Sequence, residues 1–282
     1  MIVRPGEPLS STHFDRRAGG KGANQASVVA KASGRVKLIG AVGDDGGFSL
    51  YSIGDDEQLM TTIHLANVAC GFHASDFSVM DKTVRLAKEN NVRVGAHPSL
   101  PDRQGFGRRE MVMDPDELAS CFIYQVGALN GFLTKHGLTL NHIKPHGAVY
   151  GMIARDMELA RATMRVAQLF GVAFMGLAGT CHQRAAAEAG VPFIAEWFAD
   201  LDYSPAGALL ITKKHAPVPL DVVRARVETL LSAGEITTTA GTLPLAPGVR
   251  EVSICCHSDT PGAVEIARVV RAIVDENNAV VE

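Results

Sequence analysis

The chain has 282 residues, enough to bury one large core, and at 46% hydrophobic and 20% charged it has the composition of an ordinary globule. A formal charge of −3 excludes the basic surplus that nucleic acid demands, and no apolar run reaches membrane-spanning length. The N-terminus lacks the charged-then-apolar plan of a secretory leader, and five cysteines without a framework spacing predict a reduced, cytoplasmic protein.

Residues 1–47 read differently from the rest. They hold Ala18-Gly19-Gly20-Lys21-Gly22-Ala23-Asn24-Gln25 and then the apolar run from Val36 to Val42, followed by Asp44 and Asp45. Glycines around a lysine suggest a phosphate cradle, but the spacing of a P-loop is absent. The segment resembles the N-terminal region of ribokinase-type (PfkB) sugar kinases, where such a run touches sugar hydroxyls. The later Gly-Ala-Gly-Asp stretch that carries that family's catalytic base is missing, so the expectation is an appended remnant rather than a kinase.

From Phe48 onward short strands alternate with amphipathic helices. A strand begins near Ile63. Asp76 predicts an N-cap for a helix over Phe77 to Asn90, with Met80, Val84 and Ala87 on one face. Val92 to Ala96 reads as a strand. Asp114-Pro115-Asp116-Glu117 is a helix start with cap, proline and acids in place, and His136-Gly137 marks that helix's end. Strands follow at Asn141 to Lys144, Val172 to Leu177, Phe193 to Glu196 and Val252 to Cys256. Helices follow at Met157 to Phe170, Cys181 to Ala189, Leu220 to Ser232 and Pro261 to Glu276. This alternation implies βαβ units and a parallel sheet, and no Gly-rich dinucleotide turn follows any strand.

Four predicted strand ends carry a histidine: His73 with Asp76, His97 with Asp102, His146 with Lys144, and His257 with Asp259. In a parallel barrel the carboxyl ends of strands open on one common site, so these side chains are expected to converge. His13, His64, His136, His142, His182 and His215 have no such placement and read as surface or packing residues. Trp197 reads as core or interface.

The stretch from Phe48 to Glu276 is similar to the LamB/YcsF family, the A subunits of bacterial-type 5-oxoprolinase. The resemblance rests on Gly54-Asp55-Asp56-Glu57, Ala66 to His73, Gly95-Ala96-His97-Pro98, Gln104 to Arg108, Lys144 to Tyr150 and His257 to Gly262. It implies a distorted seven-stranded (β/α) barrel of the glycoside hydrolase/deacetylase type. It also implies ATP-dependent opening of the lactam ring of 5-oxoproline (pyroglutamate) to L-glutamate, with B and C partner subunits binding ATP and Mg²⁺. Members begin with an acidic first strand, Ile-Asp-Leu-Asn-Cys-Asp-Leu-Gly-Glu, that is replaced or missing here. The expectation is that Val36 to Val42 fills the slot, with Asp44 or Asp45 near the place of the missing acids, which divides the chain into 1–47 and 48–282.

Hydrolysis of an unactivated amide needs a placed water, a base and a donor to the developing oxyanion. The candidate catalytic residues are therefore His73, His97, Lys144, His146, His257 and Asp259. The candidate substrate-binding residues are Asn67, Asp76, Asp102, Arg108, Tyr150 and Glu196, with Arg108 suited to a carboxylate. No metal ligand set is assigned. Related deacetylase barrels use an Asp-His-His set, so a metal-dependent, deacetylase-like hydrolase stays open. So do a barrel that binds a small carboxylate, a lactam or a partner without turnover, and a sugar-kinase remnant. The sequence leaves the oligomeric state open, a homo-oligomer included.

Overall fold

The computed structural model describes residues 12–14, 39–42, 56–207, 209–210, 217–246, 249, 251–255 and 262–279. In chain order these residues form β1 (Thr12–Phe14), β2 (Ile39–Val42), α1 (Asp56–Met60), β3 (Leu65–Ala69), α2 (Phe77–Glu89), β4 (Arg93–His97), α3 (Pro115–His136) and β5 (Leu140–Ile143). There follow α4 (Ala148–Arg155), α5 (Met157–Phe170), β6 (Ala173–Gly176), α6 (Cys181–Ala189), β7 (Phe193–Phe198), β8 (Asp202–Tyr203) and β9 (Leu209–Leu210). The chain ends with α7 (Leu220–Ala233), β10 (Glu235–Thr238), β11 (Gly241–Pro244), β12 (Glu251–Cys255) and α8 (Ala263–Ala279).

One eight-stranded sheet runs β1-β12-β7-β6-β5-β4-β3-β2. Every pairing in it is parallel except β1 with β12. Ile39–Val42 pairs with Leu65–Ala69, Ile39 opposite Leu65, so the apolar run upstream of the family stretch does occupy the place beside β3. Asp44 and Asp45 lie outside the described residues.

The sheet curls. Leu65 on β3 packs against Met175 on β6 and Ile194 on β7, although β4 and β5 separate these strands in the order. Only a concave face brings them together. Strand periodicity then sorts the side chains. Ala66, Val68, Val94, Ala96, Ile143 and Phe174 point outward into the helix-facing core, together with Val84, Phe122, Leu129 and Val166. A second outward cluster joins Ala195, Trp197, Val252 and Ile254 to Val223, Val227, Val270 and Val274. Each large apolar side chain buried there stabilises the fold by roughly 1.5–3 kcal/mol. Two residues past Leu65 and Ile194, the concave face turns polar with Asn67 and Glu196, both buried.

The helix signals act as the residues dictate. The Asp76 carboxylate accepts from Ser78 N at 2.8 Å and Val79 N at 2.9 Å, satisfying two orphan donors of α2. Asp114 does the same for Asp116 N, with Pro115 opening α3, and Gly137 ends it in the left-handed region. α4 departs from expectation. Its N-cap is Gly147 at φ 63°, ψ −132°, with no side-chain cap, so no start signal is written in the sequence. The β10–β11 hairpin is also additional. No helix among the described residues is long and apolar enough to cross a membrane.

Candidate functional site

The carboxyl ends of β3, β4 and β5 bring three histidines into one buried cluster. His97 is the last residue of β4; His73 and His146 follow β3 and β5. The ladder between β4 and β5 continues past their ends through Lys144 N to Ala96 O at 2.9 Å and His146 N to Pro98 O at 2.8 Å. The rings of His73 and His146 stack at 3.7 Å and 4°, and His97 meets His146 nearly edge-on at 4.9 Å. His146 Nδ1 lies 3.1 Å from His97 Nε2. The outer nitrogens meet carbonyls: His97 Nδ1 donates to Lys144 O at 2.7 Å, and His146 Nε2 donates to Phe106 O at 2.8 Å. Burial holds His97 and His146 well below the usual histidine range. Lys144 and His73 push His97 the same way, as do His73, His97 and Arg108 for His146.

The loop after β4 roofs the cluster. Phe106 meets His73 and His146 edge-on, at 5.4 and 5.2 Å. Phe106 and Gly107 both have positive φ, 54° and 68°. A Cβ at Gly107 would lie 2.9 Å from His146 and 3.0 Å from the Cβ of His73, so only glycine brings the backbone this close. Gly107 O accepts from Ala148 N at 2.9 Å, tying the roof to the start of α4. Asp102 holds the base of the loop, accepting from Gly105 N at 2.9 Å and pairing with Arg109. That guanidinium keeps the Asp102 carboxyl below the usual carboxylate range. Arg108 is buried, with its guanidinium 5.2 Å from the Phe106 ring.

A second polar group lies beside the first. Lys144, just past β5, forms a buried ion pair with Glu196 on β7. Tyr150 on α4 donates to the other Glu196 oxygen at 2.5 Å. Burial first, and the Glu196 charge second, push the Tyr150 phenol well above its ordinary range.

Of the expected site residues, His73, His97, His146, Lys144, Arg108, Tyr150 and Glu196 are thus held in two adjoining buried groups. Three others have different partners. Asp76 caps α2, Asp102 binds Arg109, and Asn67 accepts from His142 Nε2 at 2.6 Å on the concave face. A short acid one turn from a strand end can cap the next helix or reach the site, and the cap wins at Asp76. His257 and Asp259 lie outside the described residues. His142 and His182 are fully buried packing residues, and Trp197 belongs to the core. Phe106 and Gly107 join the site beyond the expected set; the Gly-Phe-Gly spacing is the signal that marks them. Among the described residues no group of three or more His, Cys, Asp or Glu side chains is arranged to hold a metal ion.

A curled parallel α/β sheet with a buried polar cluster at its strands' carboxyl ends is the plan of a small-molecule site built on a barrel-like scaffold. The comparisons with known proteins place it further: the chain belongs to the LamB/YcsF family, whose profile matches residues 42–282. A profile of the pfkB family of carbohydrate kinases matches residues 2–65. The chain is 46% identical to the lactam utilization protein lamB of Emericella nidulans, over 81% of this chain and 90% of that one. It is 40% identical to the A subunit of 5-oxoprolinase from Natranaerobius thermophilus, covering 83% and 92%. The crystal structure of a lactam utilization protein from Thermus thermophilus superposes with a TM-score of 0.77 at 33% identity, covering 85% of this chain and 96% of that one.

Proposed function

We propose that this chain is the A subunit of a 5-oxoprolinase, hydrolysing the lactam of 5-oxoproline to L-glutamate. The observation that carries the reading is the His73–His97–His146 cluster at the strand ends of a chain whose relatives are named as the A subunit of 5-oxoprolinase. In the reaction the ring C–N bond breaks, the water oxygen adds to the carbonyl carbon, and the nitrogen gains a proton. The imidazoles are the candidate proton donors and acceptors, and Lys144, paired with Glu196, is the candidate donor to the developing oxyanion. Arg108 is the candidate for the substrate carboxylate. ATP and Mg²⁺ are assigned to B- and C-type partner subunits, and the assembly to the cytoplasm. The curled sheet is read as a distorted seven-stranded barrel of the deacetylase kind with β2 as its first stave, and residues 1–47 as a kinase-derived segment.

One observation favours a second reading, a barrel that binds without turnover. β2 is Ile39-Gly40-Ala41-Val42 and brings none of the acids that the resemblance places on a first strand. Mixing the pure chain with B- and C-type subunits, 5-oxoproline and ATP, and measuring glutamate, separates the two. Glutamate formed only when all three subunits are present supports the hydrolase. A ternary assembly that binds 5-oxoproline and releases no glutamate overturns it.

A further inference from the structure

We propose that His97 and His146 hold one proton between them, shared by His97 Nε2 and His146 Nδ1, and that this pair is the acid for the departing lactam nitrogen. The count of protons carries the first clause. A carbonyl oxygen only accepts, so His97 Nδ1, 2.7 Å from Lys144 O, bears hydrogen, and so does His146 Nε2, 2.8 Å from Phe106 O. A neutral imidazole has one N–H. Two neutral rings would therefore set two bare lone pairs against each other at 3.1 Å, buried and unsatisfied. Two inner protons would set N–H against N–H. One proton between the nitrogens satisfies both rings and gives the pair a single positive charge.

The surroundings fit a charge held loosely. His73 stacks on His146 at 3.7 Å and, with burial, weighs against a second proton on that ring. The other groups facing the pair are Arg108 from the roof loop, Lys144 from the end of β5, and His142 from β5. The Cys70 thiol bonds near the His97 backbone and is pushed up to about 12, so it stays neutral. Glu196 is engaged by Lys144 and Tyr150, and Asp102 by Arg109. Burial and two nearby cations work against the extra proton, and the opposed lone pairs work against its loss. A proton held in that balance is easy to surrender.

The second clause rests on the lactam-hydrolase reading. His146 Nε2 is the exit. Substrate nitrogen takes the place of Phe106 O, the C–N electron pair goes to nitrogen, and the Nε2 proton follows. The shared proton then stays on His146 Nδ1, donating to His97, and both rings are neutral. The water oxygen is already bonded to the carbonyl carbon when the C–N bond breaks, so the product leaves as a carboxylic acid, whose proton returns to Nε2 and restores the pair. His146 is the catalytic residue; His97 is a positioning residue that acts through it.

The test is a proton count on the wild-type chain with ¹⁵N-labelled histidine, by long-range ¹H–¹⁵N spectra at neutral pH. The expected result is hydrogen on His97 Nδ1 and His146 Nε2, with one further proton averaged over the two inner nitrogens. Inner nitrogens both bare, or both fully protonated, overturn the shared proton. His97→Gln, in the assembly with partner subunits, is expected to leave His146 neutral and to lower kcat on the order of 100-fold, with a smaller change in KM. An unchanged kcat overturns the acid role. The spectra need no turnover, so failure of the oxoprolinase reading leaves the proton count standing and failure of the count is seen without any assay.

Discussion

Gly95 and His142 are fitted to each other across β4 and β5: a Cβ on Gly95 would lie 2.2 Å from the His142 ring. The missing side chain lets the imidazole lie across the concave face and reach Asn67 at 2.6 Å. Gly95→Ala should therefore displace the ring and cost about 1–3 kcal/mol, the usual penalty of overpacking. The midpoint of urea unfolding checks this; an unchanged midpoint would mean that the ring has room to move.

The Lys144–Glu196 pair is fully buried. Removing one partner strands a charge, so Lys144→Met or Glu196→Gln alone should destabilise by about 3–5 kcal/mol, and the double variant by less than the sum. Denaturant unfolding of the four proteins gives the coupling directly, and additive losses would refute it.

His182 titrates at about 3 in the fold against an ordinary 6.5, because burial disfavours its charged form. Its Nδ1 accepts from Leu177 N and its Nε2 donates to Tyr150 O, both at 3.0 Å. Between pH 3 and 6.5 the unfolded chain binds the extra proton. Stability from this residue is thus complete above pH 6.5 and is lost as the pH falls toward 3, by about 2 kcal/mol at pH 5. His182→Asn should flatten that part of the profile, as read from unfolding midpoints at pH 7 and pH 5.

Gln125 on α3 clamps the turn after His97, accepting from Ser99 N at 2.9 Å and donating to Ser99 O at 2.8 Å. Gln125→Leu leaves two buried backbone groups without these bonds, at about 1–3 kcal/mol each. Thermal unfolding measures the loss. A stability equal to that of the parent would show that the turn holds itself.

His146→Ala removes the ring that His73, His97 and Phe106 all contact. Glutamate formation by the assembled enzyme should fall by roughly 10²–10⁴-fold, with the circular dichroism spectrum retained. Full turnover in a folded variant would exclude His146 from the chemistry.

Much of this was legible from local signals. Asp76, Asp114, Gly137 and Gly190 bound their helices because caps act over three or four residues, a range a sequence displays. The convergence of His73, His97 and His146 followed from placing each just past a strand. What escaped depends on contacts between strands. That His142 faces Asn67, or that Glu196 faces Lys144, needs the register of β3 against β5 and of β5 against β7, which no single strand records. α4 escaped because Gly147 starts it by backbone geometry alone.

Both margins of the main sheet are built from the leading segment: β1 lies along β12, and β2 lies along β3. Trimming the chain to its family-like portion would strip two staves at once and bare the ladder groups of β3 and β12. Bared strands recruit other strands. The segment that carries β1 and β2 thus covers the open sides of β3 and β12, and a shortened protein would be expected to clump before it could be assayed.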